Sequence, residues 1–211
     1  MSYVGEIFGI LFKPVQYSII PAMPSDPELI DTYISIDIET AGPNPSQYAM
    51  LSIGACALTE PRHTFYIELK PDKDSSLPEA LDISKLSMEK LAAGGVEPKI
   101  AMQHFADWLL EVVPAGQRPL FVAFNAPFDW MFVNDYFQRY LGYNPFGHAA
   151  LDIKSYFMGL DGVLWSQTSM RNIGPRYRSI DHLSHNALQD AIDQANIFEK
   201  MLAKSAQNTS E

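Results

Sequence analysis

The segment YISIDIET, residues 33–40, is the most informative part of this chain of 211 residues. Apolar and polar residues alternate along its first part, which predicts a β-strand with one buried face. Asp37 and Glu39 lie two residues apart, so both side chains point to the same face of that strand. Open α/β sheets bind ligands at the ends of their strands, which makes this pair a candidate site. A solvated polar face without function is the alternative interpretation.

The composition is that of a folded, acidic chain. Hydrophobic residues make up 47% of it, which excludes a largely disordered protein. Asp and Glu number 25 against 15 Lys and Arg, and the net charge of −10 argues against coating nucleic acid or an anionic membrane through bulk charge. The single cysteine, Cys56, excludes an internal disulfide and a cysteine-ligated zinc cluster. We therefore expect an intracellular, cytoplasmic protein without a membrane partner.

Residues 1–30 differ from the rest and predict an N-terminal extension or arm. Prolines interrupt this segment, and its apolar residues predict packing on the chain's own domain or on a partner, with a floppy tail as the alternative. Its apolar run, 7–20, is too short to span a bilayer and lacks the basic start of a signal peptide. Residues 31–205 predict one domain, and residues 206–211 predict a polar C-terminal tail.

Further strands and helices follow the first strand, in an order that indicates the fold class. The predicted strands are 33–38, 50–58, 63–69, 120–124 and 149–153. The predicted helices are 84–93, 97–113, 126–140 and 186 to about 203, and the segment 159–184 is predicted to be irregular. Three strands followed by alternating helices and strands predict an α/β fold, in which a mixed sheet carries helices on both faces.

Two later motifs add two acids and a histidine. Asn125 follows a buried strand as a predicted N-cap, which places Asp129 in the first turn of a helix. An acid favoured only by the helix dipole is the alternative for Asp129. Asn186 resembles the start of a capping box, so His185 precedes the last helix and Asp190 lies inside it. Asp190 falls off the apolar stripe of that helix and faces either water or a site.

Taken together, the three motifs resemble those of the DEDD exonuclease superfamily. They are Asp37-x-Glu39, Asn125-x-x-x-Asp129 and His185-x-x-x-x-Asp190, and the five-residue step in the third resembles the DEDDh branch. That branch includes proofreading exonuclease subunits, ribonuclease T and oligoribonuclease. The resemblance covers residues 33–202 and implies a ribonuclease H-like mixed sheet of five strands in the order 3-2-1-4-5, with helices on both faces.

The resemblance implies a metal-dependent 3′–5′ exonuclease that hydrolyses single-stranded DNA or short RNA to nucleoside 5′-monophosphates. It implies two divalent cations, Mg²⁺ or Mn²⁺, as cofactors. Asp37 would contact both cations, Glu39 and Asp190 would hold the one that activates water, and Asp129 would support the other. His185 would act as general base, since histidine ordinarily titrates near neutral pH.

Six further residues are candidate contacts for the substrate. The resemblance implies that Thr40 contacts the terminal sugar. Phe128 could stack on a terminal base, although a core position is the alternative. Arginines just before the histidine motif either guide phosphates or lie on a solvated loop. The six candidates are Thr40, Asn125, Phe128, Arg171, Arg176 and Arg178.

Two alternatives compete with an exonuclease. A ribonuclease H-like endonuclease would share the acids but would not require the spacing of His185. A catalytically idle exonuclease-like module that binds nucleic acid or serves assembly is the other alternative. Crowded carboxylates without metal repel one another and cost stability, which argues against the idle module. The candidate partners are a single-stranded 3′ end and a second copy of the chain in a homodimer.

Overall fold

A mixed sheet of five strands forms the centre of the computed structural model, which describes residues 30–177 and 184–209. The strands are β1 (Ile30–Thr40), β2 (Met50–Ala57), β3 (Thr64–Glu68), β4 (Gln117–Ala123) and β5 (Ala150–Asp152). Their order is β3-β2-β1-β4-β5, with β1 antiparallel to β2 and parallel to β4. The predicted strand order is therefore confirmed. Arg178 and residues 1–29 of the predicted extension lie outside the described residues.

Seven helices are found in the described part of the chain, more than the sequence predicts. They are α1 (Pro78–Ser84), α2 (Met88–Gly94), α3 (Pro98–Val112), α4 (Ala126–Leu141), α5 (Ile153–Asp161), α6 (Met170–Arg176) and α7 (Ala187–Thr209). The prediction that residues 159–184 are irregular is wrong in two places, because α5 extends to Asp161 and α6 forms within the segment. The short α6 contains Gly174 and Pro175, and because both residue types disfavour helices, the sequence did not predict this one. Helix α7 extends to Thr209, beyond its predicted end near Ala203 and beyond residue 205, where the predicted domain ends.

Two apolar layers cover the sheet, one on each face. Ile34, Ile36 and Ile38 of β1 pack in the core formed with α3 and α4, around Phe105 and Phe137. On the other face, α5, α6 and α7 pack over β4 and β1. The expectation of helices on both faces is confirmed. Across residues 30–177 and 184–209, no helix combines the length and apolar character needed to cross a membrane.

A glycine in β2 allows α7 to lie unusually close to the sheet. Gly54 is paired with Asp37 of β1 in the antiparallel register. A Cβ atom added at Gly54 would lie 2.1 Å from the carbonyl carbon of Ala187, the first residue of α7. Since no side chain fits between them, the first turn of α7 packs directly over β2 next to Asp37.

A partly buried aspartate, Asp72, joins the loop after β3 to α4. Asp72 accepts hydrogen bonds from the hydroxyls of Tyr136 at 2.6 Å and Tyr140 at 2.9 Å, and it pairs with the guanidinium of Arg139. Tyr136 in turn accepts a hydrogen bond from the amide N–H of Met50 at 2.8 Å. Burial alone would raise the pKa of Asp72, but these hydrogen bonds outweigh it and lower the pKa to about 2.

Candidate active site

All five motif residues line one pocket at the carboxyl end of β1. The pocket has a volume of about 370 Å³. Asp37 and Glu39 come from β1, Asp129 from α4, and His185 and Asp190 from the start of α7. Three segments that are far apart in the chain thus converge where parallel strands of an α/β sheet expose their ends.

The two acids of β1 share a face of the strand, as the alternation predicts. Ile34, Ile36 and Ile38 occupy the opposite face and are buried in the core. The pairing with β2 shifts register between Glu39 and Thr40, which places an irregularity directly beside the site. The hydroxyl of Thr40 donates a hydrogen bond to the carbonyl oxygen of Gly42 at 2.9 Å, so Thr40 fixes the turn that borders the pocket.

Asp129 is held by the backbone of β1. It is 4% exposed, and its Oδ1 accepts a hydrogen bond from the amide N–H of Ile38 at 3.2 Å. Asn125 occupies the predicted position before α4, but the expectation of a side-chain cap is wrong. Its backbone is left-handed, with φ of 70°, and its side chain makes no capping hydrogen bond.

Asp152, at the end of β5, does the capping instead. Its Oδ1 accepts hydrogen bonds from the amide N–H groups of Asn125 at 2.9 Å and Ala126 at 3.1 Å. Its Oδ2 accepts from the amide N–H of Ser155 at 3.0 Å and from the Ser155 hydroxyl at 2.6 Å. One carboxylate therefore fixes the starts of α4 and α5 together. An acid at the end of a short strand was the signal for this role.

The third motif forms a cap around Asp190. Asn186 Oδ1 accepts a hydrogen bond from the amide N–H of Gln189 at 3.1 Å, as the capping pattern predicts. Asp190 is 1% exposed and faces the pocket rather than water. It accepts hydrogen bonds from the amide N–H groups of Ser184 at 2.6 Å and His185 at 2.8 Å. These bonds hold the segment on which the exposed His185 sits, with φ of 57°.

Burial and mutual repulsion raise the pKa values of the acids in the pocket. Removal from water, followed by repulsion from Asp129, Asp190 and Glu39, raises the pKa of Asp37 well above its ordinary value. Removal from water and the charge of Asp190 raise the pKa of Glu39 to about 7. Burial likewise raises the pKa of Asp129. A cation among these carboxylates would relieve the repulsion that produces the shifts.

The donor atoms suit a metal ion. One carboxylate oxygen each from Glu39 and Asp190 and an imidazole nitrogen of His185 all lie within 4.8 Å of one another. Asp37 and Asp129 add carboxylates to the same pocket. Hard divalent cations prefer oxygen ligands of this type, so the residues present fit a divalent metal site.

A buried glutamine supports the site and was missed in the sequence. Gln194 is fully buried, and its Nε2 donates a hydrogen bond to Asp37 Oδ1 at 2.8 Å. Its Oε1 accepts from the amide N–H of Phe124 at 2.9 Å. Gln194 lies four residues after Asp190, hence on the same face of α7, and that spacing was the available signal.

The structure brings only some of the candidate substrate contacts to the pocket. Thr40, Asn125 and Phe128 line it, and Phe128 also packs against Phe132, with ring centroids 5.5 Å apart. Of the three candidate arginines, neither Arg171 nor Arg176 lines the pocket. Arg171 is exposed on α6, and Arg176 pairs with Asp161 at 3.4 Å; Arg178 lies outside the described residues.

Comparison of the sequence with known proteins gives a family and two similar relatives. The family model described as exonuclease, RNase_T, matches residues 34–198. The 3′-5′ DNA exonuclease Cap18 of Escherichia coli is 44% identical over 176 residues, covering 83% of this chain and 92% of the relative. Ribonuclease T of Buchnera aphidicola is 30% identical over 185 residues, covering 78% of this chain and 79% of the relative. These matches give no support to a catalytically idle module.

Solved structures share the fold. The nuclease domain of 3′hExo, a DEDDh family member bound to rAMP, has a TM-score of 0.67 at 16% identity, covering 85% of this chain and 94% of that one. Escherichia coli exonuclease I with a dT13 oligonucleotide has a TM-score of 0.64 at 17% identity, covering 85% of this chain and 42% of that one. The family model matches most of the chain, and the two relatives are matched over 92% and 79% of their own lengths, so the chain belongs to the RNase_T exonuclease family, which confirms the prediction of an exonuclease.

Proposed function

We propose that this chain hydrolyses single-stranded DNA from the 3′ end and releases nucleoside 5′-monophosphates, with two divalent cations, Mg²⁺ or Mn²⁺, as cofactors. The observation that carries the proposal is the convergence of Asp37, Glu39, Asp129 and Asp190 on one pocket with His185 at its edge. DNA is proposed over RNA because the relative at 44% identity is named a DNA exonuclease.

The four carboxylates are the residues that would hold the cations. Asp37 would contribute to both, Glu39 and Asp190 to one, and Asp129 to the other. When bound, the cations would offset the negative charge of the phosphodiester and favour ionisation of the attacking water. Burial and mutual repulsion raise the pKa values of Asp37 and Glu39, and this supports the assignment, since bound cations would offset that repulsion.

His185 is placed to act as the general base. Its imidazole is exposed beside Glu39 and Asp190, and Asp190 fixes the backbone that carries it. His185 would accept a proton as the water oxygen bonds to phosphorus. The bond from phosphorus to O3′ of the preceding nucleotide breaks, and that oxygen takes a proton from solvent. The products are a nucleoside 5′-monophosphate and a strand shorter by one nucleotide.

The remaining walls of the pocket would hold the terminal nucleotide. Leu77 and Ile83 give the pocket an apolar side, and Phe128 faces it from α4. Such a wall suits a nucleobase, because bases stack on apolar and aromatic side chains without regard to sequence. Thr40 and Asn125 border the polar side, where the sugar would lie.

The test uses 5′-labelled single-stranded DNA and RNA of equal sequence with the purified chain and Mg²⁺ or Mn²⁺. We expect a ladder that shortens from the 3′ end of DNA, and its loss with EDTA and in His185→Ala. Tyr143→Ala, at an exposed position outside the pocket, is the matched control and should cleave like wild type. Internal cuts would favour an endonuclease, preferred RNA cleavage would overturn the substrate class, and intact strands in every lane would overturn the exonuclease assignment.

We propose a cytoplasmic location and a homodimer. Fractionation of cells that express the chain tests the first, and the sedimentation coefficient of the purified chain tests the second. A monomeric mass at the concentration used for activity would overturn the homodimer.

A further inference from the structure

A cationic and aromatic surface continues from the wall of the pocket. Phe124 lines the pocket together with His185 and Asp190. The ammonium group of Lys154 lies 5.9 Å from the ring centroid of Phe124 and 4.3 Å from that of Trp165. We call Lys154 and Trp165 the upstream platform. The platform begins where the pocket ends, so a strand leaving the pocket on this side would meet it.

The tryptophan of the platform is exposed but held in place. Trp165 is 51% exposed although large aromatic side chains are usually buried. It begins a single 3-10 turn, in which Gln167 Oε1 accepts a hydrogen bond from the amide N–H of Leu164 at 3.0 Å. The Thr168 hydroxyl donates to the carbonyl oxygen of Trp165 at 2.8 Å. The indole is therefore presented to solvent on a fixed backbone.

The platform and the pocket share one support. Lys154 is the second residue of α5, whose start is capped by Asp152. The other oxygen of Asp152 holds the backbone of Asn125 and Ala126, where α4 begins. The same carboxylate thus fixes the element that carries Lys154 and the element that carries Asp129. This shared support keeps the platform at a constant position relative to the pocket.

The charge of Lys154 complements a phosphodiester in an otherwise acidic chain. The net charge is −10, and four carboxylates line the pocket. Within residues 30–177 and 184–209, Lys154 forms no ion pair with a carboxylate, and its ammonium group lies over an aromatic face instead. A strand approaching the acids needs a cation along its path, and Lys154 lies beside Phe124 at the pocket edge.

We infer that the upstream platform binds the nucleotide on the 5′ side of the terminal one, with its base stacked on Trp165 and its phosphate against Lys154. This inference rests on the proposed function and extends it to substrate length. A base and an aromatic ring stack irrespective of sequence, and removing such a ring typically costs about tenfold or more in binding. The platform therefore favours strands of at least two nucleotides over single nucleotides.

The kinetic test compares two substrates. One is a single-stranded DNA oligonucleotide, and the other is the p-nitrophenyl ester of thymidine 5′-monophosphate, which contains one nucleotide. We expect Trp165→Ala and Lys154→Gln to raise KM for the oligonucleotide about tenfold with kcat within about twofold of wild type. Trp165→Phe keeps a ring and should keep KM, and Tyr143→Ala is the control for an exposed aromatic elsewhere. The ester should be hydrolysed equally by all variants.

Binding is measured separately by tryptophan fluorescence. Trp165 is the most exposed tryptophan, whereas Trp108 and Trp130 are partly buried. With EDTA present to prevent cleavage, DNA should quench the emission of wild type, and this quenching should be lost in Trp165→Phe. Deoxythymidine monophosphate should quench neither protein.

The two proposals fail in different ways. Wild type that shortens DNA while the platform variants keep wild-type KM would overturn the platform and leave the proposed function standing. Equal losses on the oligonucleotide and the ester would also overturn it, because they would indicate structural damage. Wild type that leaves DNA intact would overturn the proposed function, and absent quenching would then overturn the platform as well.

Discussion

Gln194 ties Asp37 to the end of β4 through both atoms of its side-chain amide. The Nε2 group donates to Asp37 Oδ1 at 2.8 Å, while Oε1 accepts from the amide N–H of Phe124 at 2.9 Å. The Phe124 donor fixes which end of the amide faces Asp37, so a donor always points at that carboxylate. This hydrogen bond lowers the pKa of Asp37, against the larger effect of burial.

We expect Gln194→Ala to weaken metal activation, because Asp37 loses the donor that orients it. Loss of a hydrogen bond to a metal-binding side chain typically costs about 10- to 100-fold in metal affinity or activity. The measurement is the Mn²⁺ concentration that gives half-maximal DNA cleavage. Gln189→Ala, at an exposed position on the same helix, is the control. An unchanged Mn²⁺ requirement in Gln194→Ala would contradict the role.

Cations should raise the melting temperature more at pH 8 than at pH 5.5. The pKa of Glu39 is raised to about 7, so the folded state binds more protons than the unfolded state between about pH 4.5 and 7. Without cations, the contribution of Glu39 to stability therefore falls as pH rises through that window. Cations require the ionised form, so their stabilising effect grows over the same range.

Differential scanning fluorimetry with and without Mg²⁺ or Mn²⁺ tests this dependence. Glu39→Gln should reduce the cation effect at pH 8, since it removes one ligand. A rise in melting temperature that is equal at both pH values would argue against titration of the pocket acids.

Asp152→Ala should destabilise the fold by about 2 kcal/mol, because two helices lose capping hydrogen bonds worth about 1 kcal/mol each. Ser155→Ala removes only a hydroxyl donor from the same cluster and should cost less than about 1 kcal/mol. Urea unfolding at pH 7 measures both. Equal stability of Asp152→Ala and wild type would show that water replaces the carboxylate at the two helix starts.

Asp72→Asn should destabilise the protein at pH 7 but not at about pH 2. The folded-state pKa of Asp72 is lowered to about 2, so its contribution to stability is present above its ordinary pKa near 4 and is lost as pH falls toward 2. Urea unfolding of both proteins across this range measures the difference. A gap between variant and wild type that stays constant from pH 7 to pH 2 would contradict the ionised role of Asp72.

The sequence predicted the parts of the fold that repeat a simple pattern. The alternation around Asp37 and the apolar spacing in α3 and α4 each bury one face, so pattern alone located these elements. Helix α6 was missed because Gly174 and Pro175 disfavour a helix that packing nevertheless stabilises.

The sequence predicted only those pocket residues that belong to its three motifs or directly adjoin them. Spacing indicated that Asp190 was off the apolar stripe, but only the tertiary structure shows that it faces the pocket. The same is true of Gln194, which looks like a surface residue until β1 and β4 are placed against it. Asp152 and Trp165 lie outside every motif, so contacts that span the chain were needed to relate them to the site.

The position of α7 against the sheet depends on Gly54. A position on β2 that carries no functional group sets how deeply α7 sits against the sheet, since a methyl group there would collide with the backbone at Ala187. Asp190 and Gln194 both lie on that helix, and Gln194 donates a hydrogen bond to Asp37 of β1. The spacing between the pocket residues of β1 and those of α7 is thus set by a residue without a side chain, on a strand that contributes no residue to the pocket.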